Sequence, residues 1–290
     1  MGGRWYQLLI RISQLAGSWF FSVTARVIAA GFFCFPSRTR ESVRFYSLLF
    51  PARSHSYHRF CTFRQFQNFT TIHFDRFLLA MDPKRIEYRS TGIEHLKNIK
   101  KGQGAVILQS HLGNWDIAAH LLQEQGLDIS LLLYMGIRKK EQIERQQKEH
   151  LRDAGIRIVG VGKDGGSPFE GVEGIHHLRA GGVVSMTGDM LWQPEQRHVD
   201  VDFLQHKARI PAAPYILSLL TGAPLLPFFT FRTDRRQYSF VLCEPIVISQ
   251  AERKNRELSI QTAAQQYADL LEQTLREHPF EWYHFEPFIV

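Results

Sequence analysis

From about residue 103 the chain alternates between two patterns. Short apolar runs at Ala105–Gln109, Asp128–Tyr134, Ile156–Val161 and Val183–Thr187 read as buried strands. Between them, Trp115–Gln125, Arg138–Ala154 and Phe169–Ala180 read as helices, stopped in turn by Gly126, Gly155 and the pair Gly181-Gly182. This βαβ rhythm predicts an α/β fold, a mainly parallel sheet flanked by helices. Farther on, Val199–Phe203 alternates as a strand does, and Pro211–Leu220 reads as a helix with proline at its start. Leu225–Phe231 and Tyr238–Leu242 look like a hairpin around Asp234-Arg235-Arg236, and Ala251–Glu277 like a long polar helix. No repeat, low-complexity tract or linker interrupts this order. The expected organisation is an α/β domain over residues 65–290 preceded by a helical region over residues 1–64.

The amino-terminal pattern is different. Over residues 4–35, Arg4, Gln7, Arg11, Gln14, Ser18, Ser22 and Arg26 recur at steps of three and four and form one narrow polar stripe. Leu8, Leu9, Ile12, Leu15, Trp19, Phe20, Val23, Val27 and Ile28 fill the rest of the wheel. Arginine inside the apolar stretch argues against a cleavable signal peptide. Arg11 and Arg26 stand about 22 Å apart along a helix, less than the ~30 Å hydrocarbon core. The pattern therefore predicts an amphipathic helix lying in or dipping into a bilayer rather than a simple span. A buried domain helix with one wet edge would give the same wheel.

Charge sharpens this asymmetry. The net charge is +7, yet residues 1–64 hold nine arginines and one acid, Glu41, while the rest balances 26 basic against 27 acidic residues. Arg38, Arg40, Arg44, Arg53, Arg59 and Arg64 lie among Phe and Tyr. That combination suits an anionic membrane face or a polyanionic partner. No nucleic-acid module signature occurs. Cys34, Cys61 and Cys243 have no metal or redox spacing and read as buried thiols of a reducing compartment.

The candidate chemistry sits at Ser110-His111-Leu112-Gly113-Asn114-Trp115-Asp116, between an apolar strand and a helix. Within one regular helix His111 and Asp116 would lie ~140° apart. With His111 on the turn and Asp116 in the first helical turn they can meet, and the carboxylate would orient a histidine acting as general base. Asn114 is a good N-cap, and Gly113 permits the tight turn. A capped helix with a surface histidine is the plain alternative.

This segment resembles the first block of the bacterial lipid A late acyltransferases (the lauroyl/myristoyl transferase family), within the H-x-x-x-x-D/E glycerolipid acyltransferase group. Three more stretches match in order: Leu178 to Asp189, Val199 to Phe228, and the aromatic Pro279 to Phe288. Asp116 replaces a glutamate frequent in lipid A members, Gln205 stands where glycine is expected, and Met190 follows Asp189 in place of glutamine. The resemblance implies a membrane-associated O-acyltransferase in which His111 and Asp116 are catalytic. Its substrate contacts are expected at Asn114, Lys163, Asp189 and Arg209. The implied donor is a fatty acyl thioester on acyl carrier protein or coenzyme A, and the implied acceptor a membrane glycolipid such as a lipid A precursor. The implied location is the cytoplasmic face of the inner membrane, and no metal, cofactor or nucleic acid is required. A lysophospholipid acyltransferase, and a non-enzymatic protein that binds anionic lipid, are the alternatives.

The residues themselves support some of these assignments and leave others open. Asp189 ends a strand, where binding residues gather in parallel sheets, though it could equally cap a turn. Lys163 lies in the glycine-bearing stretch Gly160–Gly174, which lacks P-loop spacing and reads either as a phosphate contact or as a plain flexible loop. The oxyanion of a thioester needs a donor, for which Asn114 or backbone N–H groups at the helix start are candidates. His198, Asp200 and Asp202 share one strand face, with His206 beyond, a pattern that a solvated strand face produces more readily than a metal site. The absence of G-x-S-x-G argues against an ordinary serine hydrolase.

Overall fold

The computed structural model describes residues 18–81, 87–99, 102–114, 130–136, 156–161, 168–193, 195–234, 236–248 and 255–290. Asp116, Lys163, the expected helices Trp115–Gln125 and Arg138–Ala154, and residues 4–17 lie outside these.

Three helices open the described chain: α1 Ser18–Phe33, α2 Pro36–Leu49 and α3 His55–Met81. Pro36 at the first position of α2 gives up an N–H that the helix would leave unpaired anyway. α1 packs on α3 and α2, and α3 runs across residue 64, the expected boundary between the two regions.

Then follow β1 Glu87–Thr91, α4 Ile93–Lys97, β2 Ala105–Gln109, β3 Leu131–Gly136, β4 Arg157–Val161, α5 Pro168–Arg179 and β5 Val183–Thr187. The chain continues through β6 His198–Phe203, β7 His206–Pro211, α6 Ala213–Thr221, β8 Leu225–Asp234, β9 Gln237–Leu242 and α7 Arg256–Glu277. Seven strands form one sheet in the order β1-β9-β8-β2-β5-β3-β4. β8, β2, β5, β3 and β4 run parallel; β9 is antiparallel to β8, and β1 follows β9. The fold is α/β, as the strand–helix rhythm implied.

The apolar runs are continuous because both faces of the sheet are covered. Val106, Leu108, Leu132, Val184 and Leu225 join one core with α6, α7 and parts of α2 and α3. Their chain neighbours Ala105, Ile107, Leu131, Leu133, Val183 and Leu226 join a second core with Leu96 of α4. Each fully buried aliphatic side chain contributes roughly 1.5–3 kcal/mol relative to exposure.

β6 and β7 form a separate two-stranded hairpin. β7 and the pair β1–α4 had no counterpart in the sequence reading. Pro211 closes β7 instead of opening a helix, because α6 begins two residues later. At the hairpin tip Leu204 and Gln205 have φ of 49° and 64°, the left-handed backbone of a two-residue turn, which explains why glycine is expected there. The free edge of β6 is covered by α7: Gln265 Nε2 donates to Asp202 O and its Oε1 accepts from Asp202 N, each at 2.8–2.9 Å. Gln261 Nε2 donates to Asp200 O, and Glu272 Oε2 accepts from Leu204 N. Of the cysteines, Cys61 is buried, Cys243 half-buried and Cys34 exposed, so the buried-thiol expectation fails at Cys34, which ends up on the surface just past α1.

Candidate active site

Neighbouring parallel strands bring two side chains to one sheet edge. Gln109 of β2 lies opposite Thr187 of β5. Two residues farther on, His111 and Asp189 emerge together at the carboxyl ends of the strands, where ligands of such sheets bind. The His111 N–H donates to Asp189 Oδ2 at 2.8 Å, and His111 Nδ1 lies 2.9 Å from Oδ1. The Trp282 indole Nε1–H also donates to Oδ2, at 2.8 Å. Asp189 is fully buried, while the His111 side chain is 22% exposed.

Burial by itself would raise the Asp189 pKa. The His111 charge and hydrogen bond, His284 and the Trp282 N–H outweigh it, and the carboxyl is held below its ordinary value. An ionised carboxylate at Nδ1 requires the proton there, which leaves the Nε2 lone pair to accept another.

The loop after β2 is pinned throughout. Gly113 has φ +72°, and a Cβ on it would fall 1.6 Å from Thr230 O, so no other residue fits without displacing β8. Leu112 N–H donates to Ser110 Oγ, Gly113 N–H to Glu281 O, and Asn114 N–H to Thr230 Oγ1. With His111 N–H on Asp189, all four backbone donors of residues 111–114 are engaged by the fold. The backbone N–H groups at the helix start, the other oxyanion donors the sequence suggested, lie outside the described residues. Asn114 is fully buried, and its side chain reaches Tyr238. Beside it, buried Asp75 of α3 accepts from Tyr238 Oη–H at 2.7 Å and from Arg232 Nε at 2.9 Å. Arg209 is exposed on β7 and pairs with Asp200 Oδ1 at 3.3 Å.

The profile of the bacterial lipid A biosynthesis acyltransferases matches residues 7–288. The chain belongs to this family. Two mycobacterial relatives are similar over part of it. One is a phosphatidylinositol mannoside acyltransferase of Mycobacterium tuberculosis, 25% identical over 198 residues, 68% of this chain and 58% of the relative. The other, of the same name, comes from Mycolicibacterium smegmatis and is 29% identical over 154 residues, 52% of this chain and 48% of the relative. The chain thus spans about half the length of the curated relatives it matches.

Within this lipid A acyltransferase family member, the carboxylate on His111 Nδ1 is Asp189; Asp116, the partner expected from spacing, lies outside the described residues. Sequence reading placed Asp189 at a strand end without seeing it as the histidine's partner. It also passed over Trp282 and His284, although both stand in the aromatic carboxyl-terminal block. Their i, i+2 spacing, which puts both on one side of an extended segment, was the available signal.

His284 is buried against the pair. Its ring stacks on Trp282 with centroids 5.0 Å apart and meets His111 edge-on at 5.9 Å. Burial pushes its pKa down to about 4; Asp189 acts upward and His111 downward. His284 is therefore neutral near pH 7 and does not compete with His111 for the Asp189 charge. Trp192 completes the surroundings, with its ring 6.3 Å from that of His111.

The polar residues of the hairpin face serve one another. Asp202 pairs with Lys207 at 2.6 Å, and Asp200 takes Arg209. Among the described residues no cluster of three His, Cys, Asp or Glu forms a metal cradle.

Proposed function

We propose that this protein transfers a fatty acyl chain from a thioester to a hydroxyl of a glycolipid at a membrane surface. The observation that carries the proposal is the His111–Asp189 pair, with a buried carboxylate on Nδ1 and Nε2 left as a base. Nε2 takes the proton of the acceptor hydroxyl as its oxygen attacks the thioester carbonyl. Asp189 stabilises the imidazolium so formed. When the tetrahedral intermediate collapses, the C–S bond breaks, the new C–O ester bond remains, and the imidazolium returns the proton to the departing thiolate. The sequence needs no covalent enzyme intermediate. The family and the names of the relatives support a glycolipid acceptor, either a lipid A precursor or a mannosylated phosphoinositide. Acyl carrier protein or coenzyme A carries the acyl chain.

The membrane half of the reading rests on α1. Trp19, Val23 and Val27 stand 64%, 50% and 66% exposed at four-residue spacing, one apolar stripe facing outward. Arg26, Arg40, Arg44, Arg53, Arg59 and Arg64 are exposed around the same three helices. An apolar stripe flanked by arginines suits the interface of an anionic leaflet, where each cation near the surface contributes about 1 kcal/mol. No described helix is long and apolar enough to cross a membrane. The thioester donor favours the cytoplasmic face of an inner membrane.

The test is transfer of radiolabelled palmitate from palmitoyl-coenzyme A and from palmitoyl-acyl carrier protein. Acceptors are phosphatidylinositol mannoside and a tetraacylated lipid A precursor. H111A should cut the labelled product by ~10²–10⁴-fold. A folded H111A protein with wild-type turnover refutes the assignment. In flotation with vesicles containing anionic lipid, replacing Trp19, Val23 and Val27 together by serine should weaken binding; unchanged binding would place the attachment elsewhere.

A further inference from the structure

The segment 279–284 holds both members of the catalytic pair. Trp282 gives its indole N–H to Asp189, and its backbone bridges Leu112. Glu281 O accepts from Gly113 N–H, and Tyr283 N–H donates to His111 O at 2.8 Å. The segment is held in turn by the amino-terminal helices. Tyr46 Oη–H of α2 donates to Pro279 O at 2.8 Å, and Asn68 Nδ2 of α3 to Phe280 O at 3.3 Å. Gln65 Nε2 of α3 donates to Trp282 O.

Gln65 is the tether that acts on the residue touching Asp189. It is fully buried, and its Oε1 has no hydrogen-bond partner among the described residues. An unpaired buried acceptor is unfavourable, and methionine of the same length would avoid it. Stability alone therefore does not account for glutamine here, whereas its donor does: it fixes the Trp282 carbonyl and hence the indole.

We propose that Gln65 is a positioning residue for the His111–Asp189 pair, acting through Trp282, so that the helical region carrying the membrane-facing stripe is also part of the catalytic apparatus. This rests on the acyl-transfer reading above. With the Trp282 carbonyl held, the indole N–H keeps Asp189 Oδ2 occupied and Oδ1 turned to His111 Nδ1. Without it Trp282 can tilt, Oδ2 loses a donor, and the imidazole loses its fixed aim. Gln65 has no exposed surface with which to meet substrate, so its loss falls on kcat.

The experiment is a double-mutant cycle on the full chain with palmitoyl-coenzyme A and phosphatidylinositol mannoside, alongside H111A. Q65M should fold with an unchanged or raised Tm, keep KM within about twofold and lose kcat by about tenfold or more. W282F, which keeps the carbonyl and the stacking but lacks the N–H, should lose a similar factor. The double variant should be little worse than either alone, because both interrupt one path. N68M, which cuts a tether to Phe280, should leave kcat nearly unchanged. If Q65M does not fold, Q65N and Q65A replace it, and Q65N, which keeps a donor, should retain more kcat. Wild-type kcat in Q65M, multiplying effects in the double variant, or an equal loss in N68M overturns the positioning role while H111A remains dead. Full activity in H111A overturns the acyl-transfer reading, and the positioning role with it.

Discussion

Two places in this molecule gather histidine and aspartate on paired strands, and burial is what sets them apart. At the sheet edge, Asp189 is fully buried and receives the His111 N–H, the His111 ring and the Trp282 N–H at 2.8–2.9 Å. On the hairpin, the Asp200 and Asp202 side chains are 61% and 69% exposed and face Arg209, Lys207 and His198. Water screens the second set, and exposed pairs of this kind are worth about 0–1 kcal/mol. The first set is preorganised in a dry environment, where a misplaced donor cannot be replaced by solvent. Burial, and not the identity of the residues, separates a preorganised carboxylate from a solvated one.

The sharpest test of that comparison exchanges one atom. D189N keeps the shape of the buried side chain and removes its charge, so His111 loses the partner that stabilises the imidazolium; kcat/KM should fall by roughly 10²-fold or more. D116N, made in parallel, measures the carboxylate that spacing alone would have chosen. Equal turnover of D189N and wild type, with D116N inactive, would reverse the assignment.

Acid stability comes next in size. The folded pKa of His284, about 4, lies below its unfolded value near 6.5. The unfolded chain therefore binds the extra proton first, and stability is lost as pH falls from about 6.5 towards 4. The loss approaches ~3 kcal/mol at the acid end by the usual linkage. H284F should flatten this part of the Tm-against-pH curve between pH 7 and 4.5, and a variant curve parallel to wild type would remove His284 as its cause. Asp189, depressed below its ordinary value, adds stability above that value that is lost only at still lower pH.

The smallest effect belongs to the hairpin. D202N should change the urea midpoint by no more than the equivalent of ~1 kcal/mol and leave kcat alone. A large loss of turnover would show that this face belongs to the site after all.

Local pattern carried much of this. Ala105–Gln109 and Val183–Thr187 were legible to the residue, because buried parallel strands are short apolar runs bounded by glycine. His111 stood out at a strand-to-helix junction, and Gly113 announced a turn. β7 was missed although buried Ala208 and Ile210 alternate with exposed Lys207 and Arg209, because two apolar residues in so short a stretch are a weak signal. Pro211 misled because proline is at home both at the end of an edge strand and at a helix start.

By itself, the sequence determined the α/β class, the family and the candidate histidine, since each is written in neighbouring residues or in ordered motifs. Tertiary structure alone decided which groups meet that histidine. Asp189 comes from a strand 78 residues away and Trp282 from 93 residues beyond that. Gln65 reaches Trp282 across 217 residues. No periodicity links such positions. They are joined by the parallel pairing of β2 with β5, by the extended segment laid across both strand ends, and by the packing of α3 against that segment.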